Sequence, residues 1–301
     1  MHKRNIFAVL ILLIPLVAGA QNNRSAVSIT GSDAATCTVP DPCRTFQVAI
    51  SKTNPGGEII VLSSGGYGTF SINQSLTIVS PSGIYAAIAS ASGGTGIYIS
   101  TASGNSVVLR GLHVNGALGG FRGVWVNSPG TITYLENVVI AGFTYGVNVT
   151  QPADLRINDS LVLNNSYGIF LWGSSASARA RAMVDHCRLE ANTYGLAPYF
   201  FSDATLTNSL LTGNFRGVSI DSSSGDIDAH VTIDNSVFAQ NRVGIFAIRT
   251  AALVYVSRST ITQNTLYALD IQQGAQVLSA GNNVVIDNAA NETFTNTFGL
   301  K

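Results

Sequence analysis

An asparagine recurs through the second half of this chain at nearly constant spacing. Asn165, Asn192, Asn214, Asn241, Asn264 and Asn288 are 27, 22, 27, 23 and 24 residues apart. The surroundings repeat with it. Five positions earlier stand Ser160, Cys187, Ser209, Ser236, Ser259 and Asn283; three earlier stand Val162, Leu189, Leu211, Phe238, Ile261 and Val285. Three positions later come Gly168, Gly195, Gly217 and Gly244, with Tyr267 in that place in the last copy, then Ile169, Leu196, Val218, Ile245 and Ala268. Gly146 and Val147 carry these columns one copy further back, with Phe143 in the asparagine position. Self-similarity at such a period means stacked copies of one small unit.

Within each copy apolar residues alternate with polar ones, the period of a strand. Val231 and Ile233 point one way and Thr232 and Asp234 the other, and no segment holds a helical period beyond two turns. A coil of three short strands with bends between them predicts an all-β, single-stranded parallel β-helix of about nine to ten rungs. It is right-handed by the crossover rule for parallel strands. Leucine-rich repeats need a different consensus, and propeller blades need about 40 residues. Rungs stack about 4.8 Å apart, so each column becomes a ladder. An interior asparagine amide can then donate to one neighbour and accept from the other, leaving no buried polar group unpaired. The glycine column is expected to be a turn at positive φ, altered where Tyr267 replaces glycine.

Residues 1–20 carry Lys3 and Arg4, an apolar run from Ile6 to Leu13, and Ala18-Gly19-Ala20 before Gln21, the layout of a secretory signal peptide. The run is too short to span a bilayer, as is every later apolar stretch, so a secreted or periplasmic location is expected. Residues 21–57 form the expected N-terminal cap, 58–288 the β-helix and 289–301 a polar tail. In the cap, Cys37 and Cys43 flank Pro40 and Pro42, and in an exported chain they are expected to pair. Arg44 to Thr53 places Phe46, Ala49 and Ile50 on one helical face before Asn54-Pro55-Gly56-Gly57, which predicts a short helix over the first rung. Such a lid hides strand edges that would otherwise aggregate. Cys187, in the serine column, reads as a small buried side chain. Sixteen basic residues balance sixteen acidic ones and only 11% of residues are charged, which argues against the basic face that nucleic acid requires.

The run Pro42-Cys43-Arg44-Thr45-Phe46, then Gly56-Gly57-Glu58-Ile59 and Gly65-Gly66-Tyr67-Gly68, followed by the Asn/Ser rungs, resembles secreted bacterial right-handed β-helix repeat proteins. These belong to the pectate-lyase-like superfamily, and the resemblance covers nearly the whole chain after residue 20. It implies a polysaccharide or cell-surface glycan as partner. It does not imply one activity, since that superfamily holds lyases, hydrolases, epimerases and proteins without a reaction. Lyases of this shape use carboxylates that hold calcium and a basic residue that takes the proton; the hydrolases use grouped aspartates near a histidine. The superfamily runs Asn-Thr-Asp, Asp-Asp, Gly-His-Gly, Arg-Ile-Lys and Asp-Pro-His-Asp are absent from this chain.

What chemistry remains is concentrated in Asp221, Asp226 and Asp228, with His230 and Asp234 close by. Asp226, Asp228 and His230 are the catalytic candidates, and spaced carboxylates there could hold calcium; the same residue types also make ordinary turns. Eleven positions before the ladder asparagine, Asp154, Arg181, Asp203 and His230 alternate in sign, as expected of a cross-strand ion ladder. Asp159 and His186, with Asp185, Arg188 and Glu190, read as a second such surface group. Trp125, Phe170 and Phe246 share an outward column, and Trp172 and Tyr199 another, with Phe200 and Phe201 following. Flat aromatic rings on a sheet suit sugar rings or pack under the long connections, and Trp172, Tyr199 and Phe200 are the expected contact surface. The expectation is a non-catalytic, polysaccharide-binding or cell-surface structural protein without a required cofactor. The competing expectation is a lyase or uronate epimerase assisted by calcium.

Overall fold

In the computed structural model the described residues are 21–220, 228–290 and 293–299; the signal-peptide expectation and Asp226 fall outside them. Over these described residues the chain coils into a parallel β-solenoid of about nine turns, with one short helix. One sheet stacks twelve strands, from Asn22–Val27 through Asp154–Asn158, Ala180–Asp185, Ser202–Thr207 and Ala229–Asp234 to Asn296–Thr297. Two further ladders complete each turn. Leu161–Leu163, Arg188–Glu190, Leu210–Thr212, Val237–Ala239 and Thr260–Thr262 form one; Tyr167–Leu171, Tyr194–Pro198, Arg216–Ile220, Val243–Ile248 and Tyr267–Gln272 form the other. The alternation seen in the sequence sets which side is interior: Val231 and Ile233 are fully buried while Thr232 is exposed. The inward side chains form one continuous core from Val27 to Val277.

The asparagines stand in a single file. The backbone N–H and the Nδ2 of Asn192 both donate to Asn214 Oδ1, at 2.9 and 3.2 Å, and Asn214 donates in the same way to Asn241. The second Nδ2 hydrogen of Asn214 reaches back to Leu189 O at 2.9 Å. The serine column works alike: Ser209 N–H donates to Ser236 Oγ, which donates to Asp234 O. Each bend is made by a residue in the left-handed region directly before the ladder residue. His186, Asn208, Asn235 and Arg258 (φ 45–50°) precede Cys187, Ser209, Ser236 and Ser259, while Asn164, Ala191, Gln240 and Gln263 (φ 51–57°) precede the asparagines.

The glycine column therefore has another cause than the one expected. Gly195, Gly217 and Gly244 are not at positive φ; a Cβ on each would lie 2.6 Å from the carbonyl oxygen of the next turn. The column needs glycine because backbones approach there. The last copy departs by one inserted residue: Val243 pairs with Tyr267 and Ile245 with Leu269, so Ala268, not Tyr267, takes the glycine position. Later backbone still covers this position: Ala268 is fully buried and its N–H donates to Ala290 O. Gly217→Ala should lower stability by about 1–3 kcal/mol through overpacking. Gly66→Ala, with open space around its Cβ, should change it by less than about 0.5 kcal/mol; urea unfolding of both variants checks the contrast.

The ends also differ from expectation. The helix spans Phe46–Ser51, shorter than Arg44 to Thr53, because Thr45 caps it and Thr53 already pairs with Asn22. It does cover the first turn, with Phe46 against Tyr67 and Phe70 at 5.2 and 4.6 Å. Cys37 and Cys43 are joined by a disulfide. The sheet begins before Glu58, at Asn22, and Asn296–Thr297 adds a strand beyond residue 288.

Candidate functional site

Outward side chains meet where the third strand of one turn bends into the first strand of the next. Trp172 and Tyr199 stand at matching positions there: Trp172 N–H donates to Val149 O and Tyr199 N–H to Leu171 O. Phe200 O accepts from Gly173 N–H, which draws Phe200 beside Trp172. Their rings stack with centres 5.1 Å apart and planes 13° from parallel, and Trp172 is 41% exposed. Tyr199 turns the other way, its ring 5.1 Å from Phe170. The three residues expected to form one surface thus divide into an open platform, Trp172 on Phe200, and a supporting ring.

The column of Trp125, Phe170 and Phe246 is outward in register but not open to solvent. Phe170 and Phe246 are buried. Tyr145 and Tyr167 cover Phe170, each 5.2 Å away, and the Arg216 guanidinium lies 3.4 Å above Phe246. Alternation gives direction; it does not say what lies over a residue.

On the far side of the same bend the expected ion ladder is present. Asp154 pairs with Arg181, Arg181 with Asp203, and Asp203 with His230 in strand register. Its strongest member was not anticipated. Arg179 ends the connection after Trp172, with 10% of its side chain exposed. Its Nε and Nη2 bond Asp203 at 2.6 and 2.7 Å, Nη1 bonds Asp228 at 2.6 Å, and Nη2 also reaches the Ser202 and Asp228 carbonyls. Burial alone would lower the pKa of Arg179; the bonds to Asp203 and Asp228 outweigh it and raise the pKa. Arg181, by contrast, lies 3.9 Å from Asp154 and 3.8 Å from Asp203. The run Ala178-Arg179-Ala180-Arg181-Ala182 carried the signal, since alternation places both arginines on one face.

His230 is held within the same group. His230 Nε2 lies 2.7 Å from Asp228 and Nδ1 lies 3.4 Å from Asp203, so both ring nitrogens face protein carboxylates. The cation that Asp228 holds is a guanidinium. Cys187 is buried, which pushes its thiol up to about 12, and its sulfur lies 3.2 Å from Asp185 O. It is not a nucleophile at neutral pH. His186 pairs with Asp185 at 2.8 Å, and Asp185 also accepts from Thr207 and Asn208. His113 rests against Tyr85, 4.5 Å between ring centres.

Stacked parallel turns, an interior asparagine file and a short N-terminal lid define the chain as a parallel β-helix protein. It belongs to the NosD family, described as periplasmic copper-binding protein, whose profile matches residues 70–252. The periplasmic family agrees with the expected secreted or periplasmic location, and no helix among the described residues is long and apolar enough to cross a membrane. No curated protein matches the chain. Among solved structures it is similar to the pectate lyase Pel9A: 14% identity over 92% of this chain and 80% of that one, TM-score 0.61. It is also similar to an alginate lyase from Paenibacillus sp. str. FPU-7, with 14% identity over 92% and 100% of the chains and a TM-score of 0.51.

The family name raises copper, which favours imidazole, thiolate and thioether ligands. Among the described residues no three His, Cys, Asp or Glu side chains converge to hold a metal. His113, His186 and His230 lie against separate partners, and Met183 stands exposed on the first sheet. The described residues do not fit a copper centre.

Proposed function

We propose that this protein binds polysaccharide without transforming it, through Trp172 and Phe200 with Tyr199 behind them. The observation that carries this reading is the exposed Trp172 indole held flat by Phe200 beneath it. A planar, preorganised aromatic ring presents a large contact area at little cost in side-chain freedom. The saturated Arg179–Asp203–Asp228–His230 group supports a binding role, since it leaves no acid–base pair aimed at a ligand. Polysaccharide-acting proteins among the similar folds supply the ligand class.

Trp172→Ala should weaken retention on the bound polysaccharide about tenfold or more, the usual effect of removing a tryptophan anchor. Its thermal midpoint should stay close to wild type because the indole is largely outside the core. Affinity electrophoresis across a panel of polymers measures the first, and calorimetry the second. Unchanged retention by Trp172→Ala removes the reading.

A further inference from the structure

The two ends of the coil are closed in different ways. At the first turn the outer edge of the strand Asn22–Val27 is paired by the loop that follows it. Ala26 N–H donates to Cys37 O, Cys43 N–H to Ala26 O, and Ser28 N–H to Cys43 O. The Cys37–Cys43 disulfide ties that loop together, and the helix Phe46–Ser51 lies over the core. At the last turn the first sheet reaches Gln276–Ser279, whose outer edge is covered by the tail, residues 293–299. No other strand among the described residues pairs with that edge.

The tail holds on through a few non-covalent contacts. Thr295 brackets Val277: its N–H donates to Val277 O at 2.8 Å, and Val277 N–H donates to Thr295 Oγ1 at 2.9 Å. Asn296 and Thr297 then pair with Leu278 and Ser279, and Phe298 N–H donates to Ser279 O. Two aromatic rings straddle the edge. Phe294 packs on the end of the core, while Phe298 meets Tyr255 edge-on, with ring centres 5.3 Å apart. The strand beneath, Gln276-Val277-Leu278-Ser279, contains no charged residue and no proline. Folded proteins use such residues to keep open edges from pairing. Here the tail stands in their place.

We propose that residues 293–299 are a releasable latch, and that opening it lets a second copy of the chain pair with the Gln276–Ser279 edge, end to end. The occupant follows from the way the two ends are built. Release uncovers unpaired N–H and C=O groups beside Ala275 and Val277, which are buried while the tail is in place. Another strand edge backed by another apolar core satisfies both. The N-terminal end does not supply one, because its edge is already paired by the disulfide loop. The same edge of a second opened copy does. A twofold axis normal to the sheet sets the two strands antiparallel and brings the two core ends together. Such an interface uses one surface on both copies and closes at two, so the product is a dimer and not a filament.

Light scattering on the full chain, over a wide range of concentration, tests the latch. The wild type should keep the monomer mass throughout. Phe294→Ser combined with Thr295→Pro removes the plug on the core and the Thr295 bonds to Val277. Its mass should rise with concentration to twice that of the monomer and stop there. Free peptide of residues 293–299 should return it to monomer. Leu278→Lys, at an outward position of the acceptor strand, should do the same by placing a charge on the edge. If the double variant does not fold by circular dichroism, Phe298→Ala, which removes the ring resting on Tyr255, is read in its place, with a smaller share of dimer expected. A folded variant that stays monomeric at every concentration overturns the proposal. So do masses that grow past the dimer, since the N-terminal end then pairs as well. A wild type that dimerises as readily as the variant also overturns it, because the tail then latches nothing.

Discussion

Asn214→Ala is expected to lower the unfolding free energy by about 3–6 kcal/mol, because several buried groups lose their partners together, each at about 1–3 kcal/mol. The substitution strands the N–H and Nδ2 of Asn192, the Leu189 carbonyl, and one acceptor position on Asn241. Asn214 is 2% exposed, so water does not replace them. Asn214→Asp should be at least as harmful, since it keeps the acceptors, loses the donor and buries a charge. Asn288→Ala, in the half-open last turn, should cost clearly less. Equilibrium urea unfolding of the three variants decides the matter. A change below about 1 kcal/mol for Asn214→Ala would mean that the file is a consequence of the coil rather than one of its supports.

That file could be read from the sequence because an interior ladder needs the same residue at every turn, and repetition is visible without coordinates. The glycine column was equally visible, but its cause was not. Positive φ and close backbone approach both demand glycine, and only the position of the next turn's carbonyl separates them. The inserted residue before Ala268 escaped for a related reason: counting from Asn264 places Tyr267 under Gly244, whereas pairing places Ala268 there. At the aromatic site the sequence found Trp172 and Phe200 but could not tell the open ring from the covered ones. Phe170 is hidden by tyrosines from the bend of its own and the preceding turn.

Arg179 tests whether the charged group beside the platform is structural. Arg179→Met should destabilise the protein toward the lower end of the roughly 3–5 kcal/mol seen when one partner of a buried ion pair is removed. It leaves the Asp203 and Asp228 carboxylates facing each other without the guanidinium, together with the Ser202 and Asp228 carbonyls. The lower end applies because both carboxylates keep about a third of their surface in water, 34% and 37% exposed, where screening weakens repulsion. Arg181→Met should do far less, since its contacts are 3.8 and 3.9 Å long and its side chain is 61% exposed. The functional consequence follows from position. Arg179 closes the connection that begins at Trp172, so Arg179→Met should also loosen the platform and weaken polysaccharide retention. If Arg179→Met unfolds like the wild type yet loses retention, the guanidinium contacts ligand rather than bracing the bend. If it loses stability and retention together, and Arg181→Met loses neither, the brace is real and the ladder in which it sits is a scaffold.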